Sequence, residues 1–465
     1  MVRLGTRVAQ VVARHLSTLR QQPAYTTLTR IQAEQLVAGP APETGTDFDA
    51  LVHQLETRVF AHAAREPHPG FLAYVPSCPT FPAVLGDWLA AGFNCFGGVW
   101  SVAAGPNALE LTVLDWFRTW LGMPQGTSGL LTSGGSAATV TAIVAARHAM
   151  VQDQQGRLER AVLYTSTQAH SSVTRAAWIA GIPRNQVRAI PVDSGYRMIP
   201  ALLETAIRED RTAGLLPFCV VASAGTTNTG SVDPLHAIAD VCRDQHLWFH
   251  IDAAYGGFAA LTDRGRALLD GIGRADTVTL DPHKWLFVPF ECGCLLAREP
   301  DRLAQAFRIL PEYLRDVENE GIEVNFADYG EQLTRYTRAF KVWLPVHYFG
   351  LGAIRSAIDT GMNLAAYAEE LLREEPAFEV LSQAQLGIVC FRAHPAALTD
   401  PVELDRLNER INRQVNELGR HFISSTRLDG RFSLRICILG FRTRREDIAE
   451  LVASLRELAT AEAPA

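Results

Sequence analysis

Thr277-Val278-Thr279-Leu280-Asp281-Pro282-His283-Lys284-Trp285 sets an uncharged, strand-like run before a lysine, and Leu286, Phe287 and Val288 follow it. A free ammonium in such a setting is costly, because desolvation disfavours the charge. One escape is to stop being an ammonium, by condensing with an aldehyde to form an imine. A lysine that snorkels from a strand end satisfies the same stretch. The parts found elsewhere in the chain have to decide between the two.

Outward from this run, short apolar and often β-branched segments alternate with helical patterns. The strand candidates are Ala161 to Ser166, Val187 to Val192, Phe218 to Ser223, Leu247 to Ile251, Thr277 to Leu280 and Gly293 to Ala297. Amphipathic stretches such as Pro200 to Arg208 and Pro234 to Arg243 lie between them. The alternation predicts an α/β protein with a mostly parallel sheet covered by helices on both faces. Residues 1–65 read as helical and poorly suited to stand alone, with a linker at Ala38 to Thr46. Residues 312–330 are polar and Glu-rich, a loop pattern, and 331–375 read as long helices. The tail carries a strand (Leu386 to Arg392), a helix with Leu404, Leu407, Ile411, Val415 and Leu418 on one face, a strand (Phe432 to Leu439) and a final helix. That tail is a compact α+β unit.

Composition narrows the classes. A chain of 465 residues with 48% hydrophobic and 20% charged residues is an ordinary globular protein with room for a large core. Its net charge of −7, without long like-charge blocks, argues against nucleic acid and against an anionic membrane surface. From Pro67 to Leu109 the only formal charge is Asp87, but repeated Pro and Gly break any membrane-spanning helix, and a buried or interface-lining segment is expected. The eight cysteines form no C-x-x-C pairs, which fits a reducing, cytoplasmic setting and predicts no metal site.

Four further motifs share one chemistry. Thr132-Ser133-Gly134-Gly135-Ser136-Ala137 follows Leu130-Leu131 and opens a helix, so its backbone N–H groups can approach a phosphate; a plain helix cap is the alternative. His250-Ile251-Asp252-Ala253-Ala254-Tyr255 places Asp252 at the end of an apolar strand, where a carboxylate needs a cation such as a protonated pyridine nitrogen or a structural partner. Ala169-His170-Ser171-Ser172 follows another strand, and an imidazole there can stack on a flat ring or serve structure alone. Gly225-Thr226-Thr227-Asn228-Thr229-Gly230 follows Cys219 to Ala222. Ligands of open parallel sheets sit at the carboxyl ends of the strands. Phosphate turn, stacking ring, acid and lysine together describe a site for pyridoxal 5'-phosphate (PLP), an electron sink at an amino acid's α-carbon.

The chain resembles the fold-type I PLP enzymes, and within them the group II amino-acid decarboxylases of the aromatic-L-amino-acid decarboxylase kind. The resemblance runs from His68-Pro69-Gly70-Phe71 to the strand Phe432 to Leu439. It includes Gln168-Ala169-His170-Ser171-Ser172-Val173, Val232-Asp233-Pro234, His250-Ile251-Asp252-Ala253-Ala254-Tyr255 and Pro282-His283-Lys284-Trp285. It implies a mostly parallel seven-stranded sheet in a large PLP-binding domain (66–345), an N-terminal helical dimerisation segment (1–65) and a small C-terminal α+β domain (346–465), paired as a homodimer. Lys284 would be the imine lysine, Asp252 the pyridinium partner and His170 the stacking ring. Gly134, Gly135 and Ser136 would hold the phosphate, with Thr227 and Ala254 against the cofactor and Asp281 and His283 near it. Relatives often carry Asn in place of Asp281 and Glu in place of Ala137.

The resemblance makes Tyr313 the residue that protonates the substrate carbon once CO2 has left. Related aldehyde synthases carry phenylalanine there, and oxygen attacks instead. Tyr74, Ser77, Phe96, Gly98, His170 and Thr334 would bound the substrate, and Tyr74 with Phe96 suits an aromatic ring. Gly98 in place of a bulkier residue would admit a larger ring, and Thr334 would narrow the far wall. Arg338 is the nearby cation that an acidic substrate would need. The expected reaction is decarboxylation of an L-amino acid, aromatic by this pocket, to an amine and CO2. Oxidative decarboxylation to an aldehyde, a non-aromatic substrate, and a cofactor-carrying protein without turnover are the alternatives.

Overall fold

The computed structural model describes residues 1–151, 158–309 and 322–461. Its strands are β1 (Phe71–Leu72), β2 (Ser128–Thr132), β3 (Ala161–Ser166), β4 (Val187–Ile190), β5 (Leu216–Ser223) and β6 (Trp248–Asp252) in the first half. The second half adds β7 (Thr277–Leu280), β8 (Gly293–Ala297), β9 (Phe378–Ser382), β10 (Ile388–Ala393), β11 (Phe422–Leu428) and β12 (Arg431–Cys437). Seven of them form one sheet in the order β2-β8-β7-β6-β5-β3-β4. Neighbours from β7 to β4 pair in parallel, whereas β8 runs antiparallel to both β2 and β7. The expected mostly parallel seven-stranded sheet is present.

Both faces of this sheet are covered, which is why its strands read as unbroken apolar runs rather than as alternating ones. Every residue of β3, β7 and β8 is buried. Ile143 and Ala146 on helix Gly135–Val151, with Val173, Ala176 and Ala177 on helix Ser171–Ile179, pack against Leu163 of β3 and Phe218 and Val221 of β5. Each fully buried aliphatic or aromatic side chain here contributes roughly 1.5–3 kcal/mol. The long helix Ala339–Glu374 is interrupted at Gly350, whose φ of 75° a glycine adopts at little cost.

Contacts divide the chain into two compact units rather than along the three segments read from the sequence. The larger comprises Ser77–Asn363 with Ser382–Ile388, and the smaller joins Met1–Pro76 to Leu364–Leu381 and Val389–Ala465. The N-terminal segment thus shares a unit with the C-terminal one. In that unit β1 pairs in parallel with β11, Phe71 opposite Phe422, within a sheet ordered β1-β11-β12-β10-β9. Tyr25 stacks on Phe422 at 4.0 Å between ring centroids, and Arg20 forms a salt bridge with Asp447 at 2.7 Å. Helix Val2–Ser17, by contrast, buries none of its residues.

Candidate active site

Five parallel strands of the large sheet deliver their carboxyl ends to one edge, and the chemistry-bearing residues follow those ends directly. Ser133 to Ser136 follow β2, His170 comes four residues after β3, Thr226 and Thr227 follow β5, Asp252 closes β6, and Asp281 to Lys284 follow β7. They surround a cavity of about 330 Å³. Its wall includes Gly134, Gly135, Ser136, His170 and Thr227, and also Asp252, Ala254, Asp281, His283 and Lys284. These are the ten positions that the sequence assigns to a cofactor.

Lys284 Nζ lies 2.9 Å from Asp281 Oδ2, and His283 Nε2 lies 3.6 Å from the same oxygen. The Cys292 N–H donates to His283 Nδ1 at 3.2 Å. The ring proton therefore sits on Nε2, toward Asp281. Burial pushes the His283 pKa down and keeps the ring neutral near pH 7.

His170, also in the cavity wall, caps helix Ser171–Ile179. Its Nδ1 accepts from the Ser172 backbone N–H at 3.3 Å and meets Ser172 Oγ at 2.8 Å. With Nδ1 accepting, Nε2 carries the proton. Desolvation lowers the His170 pKa, with Asp252 pulling the other way.

Burial pushes the Asp252 carboxyl up, and the Lys284 charge counters only part of that rise. Asp252 Oδ1 accepts the Ala254 N–H at 3.1 Å, which fixes the carboxylate at the strand end. A further cation in the cavity, such as a protonated pyridine nitrogen, would stabilise the ionised form. A Cβ on Gly135 would lie 2.9 Å from Asp281 Oδ2 and 3.1 Å from the Ala254 Cβ. Only glycine leaves that space open at the start of helix Gly135–Val151, where an anion finds free N–H groups and the positive helix end. A flat, phosphate-bearing pyridine aldehyde fits this donor set: glycine-lined helix start, carboxylate, imidazole and primary amine.

Deeper residues hold the edge in place. Asp233 is fully buried and accepts the Met198 N–H at 2.7 Å and the Ser223 N–H at 2.8 Å, tying β5 to the turn before residue 200. Burial pushes its pKa up to about 6. Glu110 and Arg335 form a buried pair at 2.7 Å. Arg335 also donates to the carbonyls of Leu131 and Gly97, and Glu110 accepts the Leu131 N–H at 2.8 Å. The pair therefore joins β2, which leads into the Ser133–Ser136 turn, to residues 97 and 335.

The expected substrate positions are not gathered in the same way. Ser77, Phe96, Gly98 and Thr334 belong to the larger unit but not to the wall of this cavity, and Tyr74 belongs to the smaller unit. There the Tyr74 N–H donates to Ser424 Oγ at 3.1 Å. The reason for glycine at 98 is local: a Cβ there would lie 2.3 Å from the Leu333 carbonyl oxygen. Thr334 is exposed. Tyr313 lies outside the described residues. Arg338 is buried and pairs with Glu291 at 2.8 Å. Glu291 itself lines the cavity and was missed from the sequence. It enters just before β8, the antiparallel strand, so a search of strand carboxyl ends passes over it. Ser223, the last residue of β5, was missed as well.

Comparison with known proteins agrees with this geometry. The pyridoxal-dependent decarboxylase conserved domain matches residues 32–394. An aromatic-L-amino-acid decarboxylase of Bacillus atrophaeus is 39% identical over 461 residues, covering 99% of this chain and 95% of that protein. The Oryza sativa TDC solved with PLP and tryptamine superposes with a TM-score of 0.93 at 28% identity, covering 98% of this chain and 97% of that one. A Rhodiola rosea 4-hydroxyphenylacetaldehyde synthase superposes with a TM-score of 0.92 at 25% identity, covering 100% and 99%. The chain belongs to the pyridoxal-dependent decarboxylase family, and is a fold-type I carboxy-lyase that works with PLP.

Proposed function

We propose that the protein removes CO2 from aromatic L-amino acids and releases the amine, as a homodimer in the cytoplasm. The observation that supports this reading best is the gathering of all ten cofactor positions around one cavity with Lys284 in its wall. Bound PLP supplies an electron sink for the pair left behind when CO2 departs. The roles then fall to the chain as follows. Lys284 Nζ would hold the cofactor covalently and release it to the substrate amine. Asp252 would face the ring nitrogen and favour its protonated form. His170, with its proton on Nε2, would face the cofactor and orient the substrate carboxylate for departure as CO2. The Tyr313 hydroxyl returns a proton to the α-carbon.

The aromatic preference is supported by the similarity to the Bacillus atrophaeus enzyme and to the Oryza sativa protein solved with tryptamine. It is also supported by Arg338, the cation that an acidic substrate would need, being engaged by Glu291. The dimer is supported by the apolar side chains left exposed on the first helices, among them Leu51, Leu55 and Phe60. Free cysteines throughout suit a reducing compartment.

Similarity to the Rhodiola rosea synthase favours one second reading, oxidative conversion to an aldehyde. End-product analysis separates the two. With tryptophan, phenylalanine, tyrosine, dihydroxyphenylalanine, histidine and glutamate as substrates, amine and CO2 from the aromatic ones support the proposal. Aldehyde with peroxide and ammonia, or turnover of glutamate alone, contradicts it. Substituting Tyr313→Phe should move product from amine toward aldehyde, and an unchanged product ratio would remove Tyr313 from its role.

A further inference from the structure

Asp281 occupies an unexpected place for a carboxylate in a site that takes a phosphate ester. It follows β7 directly and is only 2% exposed. Oδ2 pairs with Lys284 Nζ, whereas Oδ1 is buried with no hydrogen-bond partner among the described residues. A Cβ built on Gly135 would meet both oxygens, Oδ2 at 2.9 Å and Oδ1 at 3.3 Å. The carboxylate therefore stands against the first residue of helix Gly135–Val151, the place an anion is drawn to.

Two consequences follow, and both rest on the cofactor reading above. An anion seated at that helix start meets a buried carboxylate that offers no N–H or O–H when ionised. The charge that compensates Asp281 is that of Lys284, the group the cofactor consumes. When Nζ condenses with an aldehyde, a C=N bond replaces the C=O bond, water leaves, and the proton of the ammonium goes to solvent. The ion pair at 2.9 Å has to be broken before the amine can attack. His283 does not replace the lost charge, because burial holds its ring neutral and its Nε2 stands 3.6 Å away. Among the other titratable groups of the same cavity wall, Asp252 and Glu291 are acidic, and the His170 ring is also held neutral by burial.

We infer that Asp281 limits cofactor retention: its carboxylate opposes the phosphate, so the protein binds PLP less tightly than an isosteric amide variant would. Asp281→Asn keeps the shape and offers N–H donors in place of a charge. With a hydrogen bond to a charged group gained, the PLP dissociation constant should fall by roughly tenfold or more.

The test titrates the full-length protein with PLP and then with pyridoxal, which has no phosphate, reading the visible absorbance of lysine-bound cofactor. Wild type, Asp281→Asn and Asp281→Ala are compared. PLP is expected to bind more tightly to Asp281→Asn, and also to Asp281→Ala, which loses the charge without gaining a donor. Pyridoxal affinity should rise by a clearly smaller factor, because it gains only from the absent ion pair with Lys284 and not at the phosphate. Weaker or unchanged PLP binding by both variants would overturn the inference. So would an equal gain for PLP and pyridoxal, since the effect would then act on Lys284 and not on the phosphate. Lys284→Ala reports separately on the underlying reading, because loss of the visible band there is required whatever Asp281 does.

Discussion

Substituting Arg335→Met should strike both the stability and the site. The guanidinium is 1% exposed, the Glu110 carboxylate 3%, and they meet at 2.7 Å. Removing one partner of such a pair strands the other charge away from water, at a cost of about 3–5 kcal/mol. Two carbonyl oxygens, of Leu131 and Gly97, lose their donor at the same time. Adding Glu110→Gln removes the stranded charge yet keeps an amide oxygen for the Leu131 N–H, and should recover about 1–3 kcal/mol. The assay is equilibrium urea unfolding of the full-length protein followed by tryptophan fluorescence, with PLP affinity measured in parallel. Leu131 lies two residues before Ser133, so the single variant should also bind PLP more weakly. A loss below about 1 kcal/mol, or a double variant less stable than Arg335→Met, would refute the assignment of the pair as a buried, mutually dependent charge couple.

Two further outcomes are expected. The Asp233 carboxyl, raised to about 6 from 3.8 by burial, binds its proton more readily folded than unfolded. Its contribution to stability is therefore fully present below about pH 4 and is lost by about 3 kcal/mol as pH rises to 6. Relative to Asp233→Asn, wild-type stability should fall over that window, and unfolding midpoints of the two proteins that run parallel with pH would contradict this. Gly135→Val places side-chain atoms against Asp281 and Ala254, so PLP affinity should drop more than about tenfold for a stability loss of about 1–3 kcal/mol. A titration showing unchanged affinity in a folded variant would refute the closed space at that position.

The large sheet was legible because its strands are short, buried on both faces and separated by amphipathic helices. The bounds of β3, β7 and β8 coincide with the runs read from the sequence. The smaller sheet was half hidden. In β11, Ser424, Thr426 and Arg427 dilute the apolar signal, and β1 is two residues long, held by pairing with a strand about 350 positions away. No local pattern encodes such a pairing, which is why the N- and C-terminal segments read as separate. The residues that gather around the cavity were legible because each follows a strand end. Glu291 was not, since it precedes a strand running the other way, and neither was the Glu110–Arg335 pair, joined across more than two hundred residues. One signal was present and unused: the chain holds only two lysines, Lys284 and Lys341. Lys341 is buried beside Asp87 at 2.8 Å, which leaves Lys284 as the amine in the cavity wall.

The scarcity of lysine makes the decisive measurement clean. Borohydride reduction of the PLP-loaded protein, followed by peptide mass mapping, fixes the cofactor to whichever amine carries it. The expected result is one phosphopyridoxyl adduct, on Lys284 Nζ, and none in Lys284→Ala. An adduct on Lys341 or the N-terminal amine, or none at all, would contradict the account at its base.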